Sequence, residues 1–276
     1  MGFETLASGY GLVEGPTVDD AGTLYFSDVL GGGVYRLSLP DATVATVVPK
    51  RRGVGGIALH ADGGVVVSGR DLVHVRDGET RVLFGIDGLP GWNDLCTDAR
   101  GRVYAGALRF MVFDRDAEPV PGECWRVDAE GQATRLYGGV VHANGIALSP
   151  TEDRIYHSDT RAGVVHVHDL VDGEALNPRQ FEFALGAPDG MAVDEAGCVW
   201  VASARAGCVV RLTPDGDVDR RVEVPATVVT SLCFGGADGR DLYVVTADNT
   251  DDPALGGCVL RTEIDVAGAP VHAARV

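Results

Sequence analysis

Pro188-Asp189-Gly190-Met191-Ala192-Val193-Asp194-Glu195-Ala196-Gly197 places an acidic residue at the head of a short apolar run and closes the run with Asp and Gly turn residues. Cys198-Val199-Trp200-Val201-Ala202 follows at once as a second apolar run. Short apolar runs separated by turn residues read as neighbouring strands of a meander, because a helix needs a longer stretch of 3.6-residue periodicity. The pattern returns at Asn144-Gly145-Ile146-Ala147-Leu148-Ser149, at Asn93-Asp94-Leu95-Cys96-Thr97-Asp98 and at Glu14-Gly15-Pro16-Thr17-Val18-Asp19. Each time an oxygen-bearing side chain stands at the head.

Two further units in phase with these start at Gly55 and Thr230, which gives six starts recurring about every 40 to 50 residues. Each unit shows three clear strands and a weaker outer one, such as Thr43–Val48 in the first and Asp219–Val224 in the fifth. That period and strand content are those of propeller blades. The expected fold is all-β, a six-bladed β-propeller with four-stranded antiparallel blades, formed by residues 1–276 as one domain. Phe3–Ala7 is expected to pair with the last blade, since an open ring would leave an unpaired edge. In the third unit the segment Ala107–Pro121 is longer than its counterparts.

Composition fits this reading. The 38 glycines are spread along the chain and favour turns over long helices. A formal charge of -17 disfavours nucleic acid and anionic membrane surfaces as partners. No apolar segment approaches membrane-spanning length, and Met1–Ala7 lacks the basic and apolar regions of a secretory signal. The six cysteines form no Cys-x-x-Cys pair and read as reduced core residues of a cytoplasmic protein. A monomer or weak homo-oligomer acting on a small molecule is expected.

In a propeller, equivalent positions of successive blades are related by rotation about the axis. The heads Glu14, Gly55, Asn93, Asn144, Asp189 and Thr230 therefore form a ring at one mouth of the channel. Two converging carboxylates repel and raise each other's pKa unless a cation joins them. A hard divalent ion takes carboxylate and amide oxygens as ligands, which puts Ca²⁺ first and leaves Mg²⁺, Mn²⁺ or Zn²⁺ as other candidates. Glu14, Asn144 and Asp189 are the expected ligands, with Asn93 on the metal or one water away. Neither a Gly-x-Ser-x-Gly elbow nor a Gly-x-Gly-x-x-Gly opening a helix is present, so a serine hydrolase and a nucleotide fold lack support.

Over essentially the whole chain the sequence resembles the SMP-30, gluconolactonase and luciferin-regenerating enzyme family of six-bladed propellers. The carriers are Glu14-Gly15-Pro16, Asn93-Asp94, Asn144-Gly145-Ile146-Ala147, Pro188-Asp189-Gly190-Met191 and Thr230-Ser231-Leu232-Cys233-Phe234. The resemblance implies a lactone hydrolase with one divalent metal held by Glu14, Asn144 and Asp189. It also implies substrate contact by Asn93 and by Glu118 on the third-blade insertion. Sugar lactonases of the family often carry Arg-x-Asn-Asp where this chain has Gly91-Trp92-Asn93-Asp94. Trp92 is then expected to offer a stacking surface for a flatter or more apolar lactone. Arg109 and His142 are expected to help line the pocket. Asp189 is the expected general base, with metal-bound hydroxide as the alternative. A phosphotriesterase-like or aryl-ester hydrolase on the same metal site is the alternative activity, and a non-catalytic calcium-binding or interaction propeller is the alternative class.

Overall fold

Blade 5 shows how the pattern becomes structure. Pro188–Val193, Val199–Ser203, Cys208–Leu212 and Val218–Glu223 pair in that order as an antiparallel sheet. The three inner strands are buried on both faces because a neighbouring blade packs on each, while the outer strand is largely exposed. The turn between the first two strands is built on Asp194. Its fully buried carboxylate accepts hydrogen bonds from the Ala196 and Cys198 backbone N–H groups, from Trp200 Nε1 and from Arg211 Nε. The Asp and Gly residues that announce the turn in the sequence thus have a structural task.

The computed structural model describes residues 2–276 and contains six such four-stranded sheets. They form the six-bladed propeller read from the repeat. Its first strands are Val13–Val18, Ile57–Leu59, Gly91–Thr97, Ala143–Leu148, Pro188–Val193 and Val229–Gly235. Ring closure is as expected: the N-terminal strand Glu4–Tyr10 pairs antiparallel with Gly257–Glu263 as the outer strand of blade 6. Apolar clusters fill the spaces between blades, for example Val199, Val201 and Val210 of blade 5 with Tyr156, Val165 and Val167 of blade 4. Among the described residues all six cysteines are free thiols, and no helix is long and apolar enough to cross a membrane.

Register fixes which loops share an end. Val13 pairs with Asp28, Ala143 with Asp159 and Pro188 with Ser203, so each second strand finishes beside the head of its first strand. The loops joining second to third strands, together with the crossovers between blades, therefore gather around the heads. The opposite end is strapped by the C-terminal segment. Ala269 N–H donates to Val193 O, Ala274 N–H to Leu59 O and Arg275 N–H to Gly101 O, while Thr97 Oγ1 donates to His272 O. Under this strap lies a cavity of about 160 Å³ lined by Asp94, Cys96, Met191 and Cys233 among others. The heads lie at the end of the channel away from this strap.

Candidate active site

The heads of the first strands meet around the axis, and contacts between neighbours trace the ring. A Cβ added at Gly15 would sit 3.1 Å from Gly55 O, and one at Gly55 would overlap Asn93 Oδ1. Asn93 Nδ2 donates to Ala143 O at 2.8 Å. A Cβ at Gly145 would overlap Asp189 O, and one at Gly190 would overlap Ser231 Oγ. Thr230 Oγ1 donates to Val13 O, closing the circle. The residue after each head is pressed against the next blade, which explains Gly15, Gly56, Gly145 and Gly190 at that position. Blade 6 carries Ser231 there and blade 3 Asp94, whose Oδ1 accepts Leu95 N–H at 2.8 Å and whose Oδ2 accepts Ile146 N–H at 3.3 Å.

Three carboxylates thus share a buried axis. Burial, then the charges of Asp189 and Asp94, push the Glu14 carboxyl well above the usual carboxylate range, partly offset by the Gly15 N–H. Burial and the Asp94 charge do the same to Asp189, against hydrogen bonds from Gly190 and Asn144. Burial raises Asp94 to about 7, with the Leu95 and Ile146 N–H groups pulling the other way. No lysine, arginine or histidine contributes to any of the three.

The donor set suits a hard divalent ion. Asp189 Oδ1 is buried and has no hydrogen-bond partner, a costly state for a carboxylate oxygen unless a ligand meets it. Asn144 Nδ2 donates to Thr160 Oγ1 at 3.0 Å, and Thr160 Oγ1 donates to Pro188 O at 2.8 Å. This orients the Asn144 amide and leaves its Oδ1 free to ligate. Among the described residues no three His, Cys, Asp or Glu side chains form a ligand group. A metal here would use Glu14 and Asp189 with amide oxygens from Asn144 and Asn93.

The other expected pocket residues divide. His142 lies half-buried at the mouth, where its ring and that of Phe110 meet edge to face with centroids 6.3 Å apart. Burial lowers its pKa, Asp159 raises it and Arg161 lowers it. Asp159 fixes the segment by accepting Val141 N–H at 2.6 Å and His142 N–H at 3.1 Å. Arg109 is partly exposed at the start of the long loop, with Nε on both carboxylate oxygens of Glu123 at 2.9 and 3.1 Å.

One expectation is corrected. Trp92 is 1% exposed and packs against Phe84 in the core between blades 2 and 3. Adjacent strand residues point to opposite faces, so with Asn93 in the ring Trp92 must enter the core, and its ring is unavailable for stacking on a substrate. Glu118 is exposed on the 109–121 loop and makes no hydrogen bond among the described residues, whereas Glu123, on the strand that follows, is buried and paired with Arg109. Asp94 and Thr160 were missed as site residues. A carboxylate where the other blades carry Gly or Ser made Asp94 legible, whereas nothing in the sequence marks Thr160 as the partner of Asn144.

The model of the SMP-30/gluconolactonase/LRE-like region matches residues 12–248. A 6-deoxy-6-sulfogluconolactonase from Pseudomonas putida is 35% identical over 89% of this chain and 88% of its own length. The pentonolactonase XacC of Haloferax volcanii is 30% identical over 94% of this chain and 93% of its own. Among solved structures, a calcium-binding protein, regucalcin from Agrobacterium tumefaciens, superposes with a TM-score of 0.86 over 99% of this chain and 97% of its own. It is 24% identical, a likeness of fold.

Proposed function

The chain belongs to the SMP-30/gluconolactonase/LRE-like family, and from that premise we propose that it is a lactone hydrolase acting on a small sugar-type lactone with one divalent metal, Ca²⁺ first. Two relatives at 30% identity or more carry lactonase names, one for a sulfogluconolactone and one for pentonolactones. The observation that carries the metal reading is the orphaned, buried Asp189 Oδ1 beside Glu14 and Asn144.

Glu14, Asn144 and Asp189 would hold the ion, with Asn93 on the ion or on the substrate. When bound, such an ion polarises the lactone carbonyl and stabilises the charge that develops on its oxygen. Asn93, fixed through Ala143 O, orients the lactone ring against the ring of heads. Asp189 receives the proton of the attacking water. The carboxylate oxygen of Asp189 not spent on the ion would accept that proton. His142, kept neutral by burial, is a hydrogen-bonding wall of the pocket. The far end is closed by the C-terminal strap, so substrate and water enter and product leaves through the mouth.

Hydrolysis of a panel of sugar lactones, followed by proton release in weak buffer, tests the reading. Turnover by the Ca²⁺-loaded protein that falls by about a hundredfold or more in Asp189→Asn supports it. No turnover of any lactone with metal bound refutes it.

A further inference from the structure

The outer strand of every blade leaves one side of its backbone unpaired, and such an edge is a template for another strand unless something blunts it. Five of the six edges are blunted. Arg81 stands within Glu79–Phe84, Arg135 within Ala133–Val140 and Arg220 within Val218–Glu223. Pro178 and Arg179 interrupt Glu174–Glu182, while Glu4–Tyr10 starts on a charge and its pairing is broken twice by register shifts. Thr43–Val48 of blade 1 carries no such device. Its residues, Thr-Val-Ala-Thr-Val-Val, include no charge, proline or glycine, and Thr43 to Thr46 are exposed.

One side of this strand is taken by Val34–Ser38, and the other meets no strand and no backbone hydrogen bond among the described residues. Its two ends carry opposite charges. Exposed Asp41 precedes the strand, accepting a hydrogen bond from Ser38 Oγ at 3.2 Å, and exposed Lys50 follows it, with no side-chain ion pair or hydrogen bond among the described residues. A strand with an acidic start and a basic end complements an antiparallel copy of itself. A two-fold axis through Ala45 or Thr46 sets the Asp41 end of each copy against the Lys50 end of the other. At an edge such as Val218–Glu223 the same operation brings Arg220 and Arg221 beside their own copies, where like charges repel.

We propose that the protein forms a two-fold dimer in which Thr43–Val48 pairs antiparallel with the same strand of a second copy, continuing the four-stranded sheet of blade 1 across the dimer. One strand pair is small beside a standard interface and each copy carries a charge of -17, so the dimer is weak, with a Kd on the order of 10–100 μM. The strand lies on the rim and the heads lie on the axis. Pairing therefore leaves both mouths open, and it is independent of the lactonase reading.

Sedimentation equilibrium of the metal-loaded full chain from about 2 to about 500 μM tests the dimer. The parent is expected to pass from monomer to dimer and no further. Thr46→Lys puts like charges beside the two-fold at an exposed position and should raise the Kd by about tenfold or more. Asp41→Lys and Lys50→Asp should each weaken the dimer, and the two together should restore it, because each end then meets the opposite sign again. Circular dichroism spectra matching the parent's establish that the variants are folded. Amide hydrogen exchange gives a second reading on the parent itself: protection gained at high concentration should centre on Thr43–Val48. A chain that stays monomeric throughout, an association untouched by Thr46→Lys, protection gained elsewhere, a double variant no better than the single ones, or growth beyond the dimer overturns the proposal.

Discussion

Glu14 of blade 1 and Asp189 of blade 5 are buried carboxylates whose charges oppose each other across the channel axis, with no cationic side chain compensating either. Chain topology forces this arrangement, because both occupy the same phase of the repeat. A hard cation relieves it, and most of the expected chemistry follows from that relation.

The first consequence is a pH-dependent stability in metal-stripped protein. Glu14, Asp94 and Asp189 all have carboxyls raised by folding, Asp94 to about 7. Above the ordinary carboxylate range the unfolded chain has released protons that the folded chain still holds. Stability present at low pH is therefore lost as pH rises through the folded values. Melting followed by circular dichroism should show Tm falling between pH 5 and pH 8 without metal. Ca²⁺ should raise it by about 5 °C or more at pH 8, and by less at pH 5, where protons compete. A Tm independent of both variables contradicts the shared carboxylate site.

Thr160 should matter without touching metal or substrate, because its hydroxyl bridges Asn144 Nδ2 and Pro188 O. Thr160→Val removes that orientation, and losses of about 10–100-fold in metal affinity or activity are typical for such partners. Calorimetric titration with Ca²⁺ reads the effect. Unchanged affinity removes Thr160 from the site.

Gly55→Ala places a methyl group where Asn93 Oδ1 now lies. Asn93 must move, so kcat/KM on any lactone turned over should drop by about tenfold or more. Activity equal to that of the parent shows that the position of Asn93 is immaterial.

Trp92 should behave as a core residue. Trp92→Ala is expected to cost about 3–5 kcal/mol in chemical denaturation, whereas Trp92→Phe should leave KM for lactones near the parent value. A large KM change in Trp92→Phe with little change in stability would restore it to the pocket.

The repeat made the architecture readable, since six heads in phase fix blade number, ring order and the closure by Glu4–Tyr10. The same phasing picked out Glu14, Asn93, Asn144 and Asp189. Side-chain direction was harder to use: Trp92 follows from strand alternation once Asn93 is in the ring, but its chain neighbourhood alone suggested the pocket. Loop residues were the least legible. Glu118 and Glu123 are both acids near the third-blade insertion, and only the Arg109 contact separates the exposed one from the buried one.

The central claim is that lactone opening depends on a divalent ion at Glu14, Asn144 and Asp189. The most direct measurement follows hydrolysis of sugar lactones by protein treated with chelator, dialysed, and then supplied with Ca²⁺, Mg²⁺, Mn²⁺ or Zn²⁺ in turn. The account predicts loss of turnover on stripping and its return with metal, Ca²⁺ being effective, and no return in Asp189→Ala. Hydrolysis that persists undiminished after complete metal removal contradicts it.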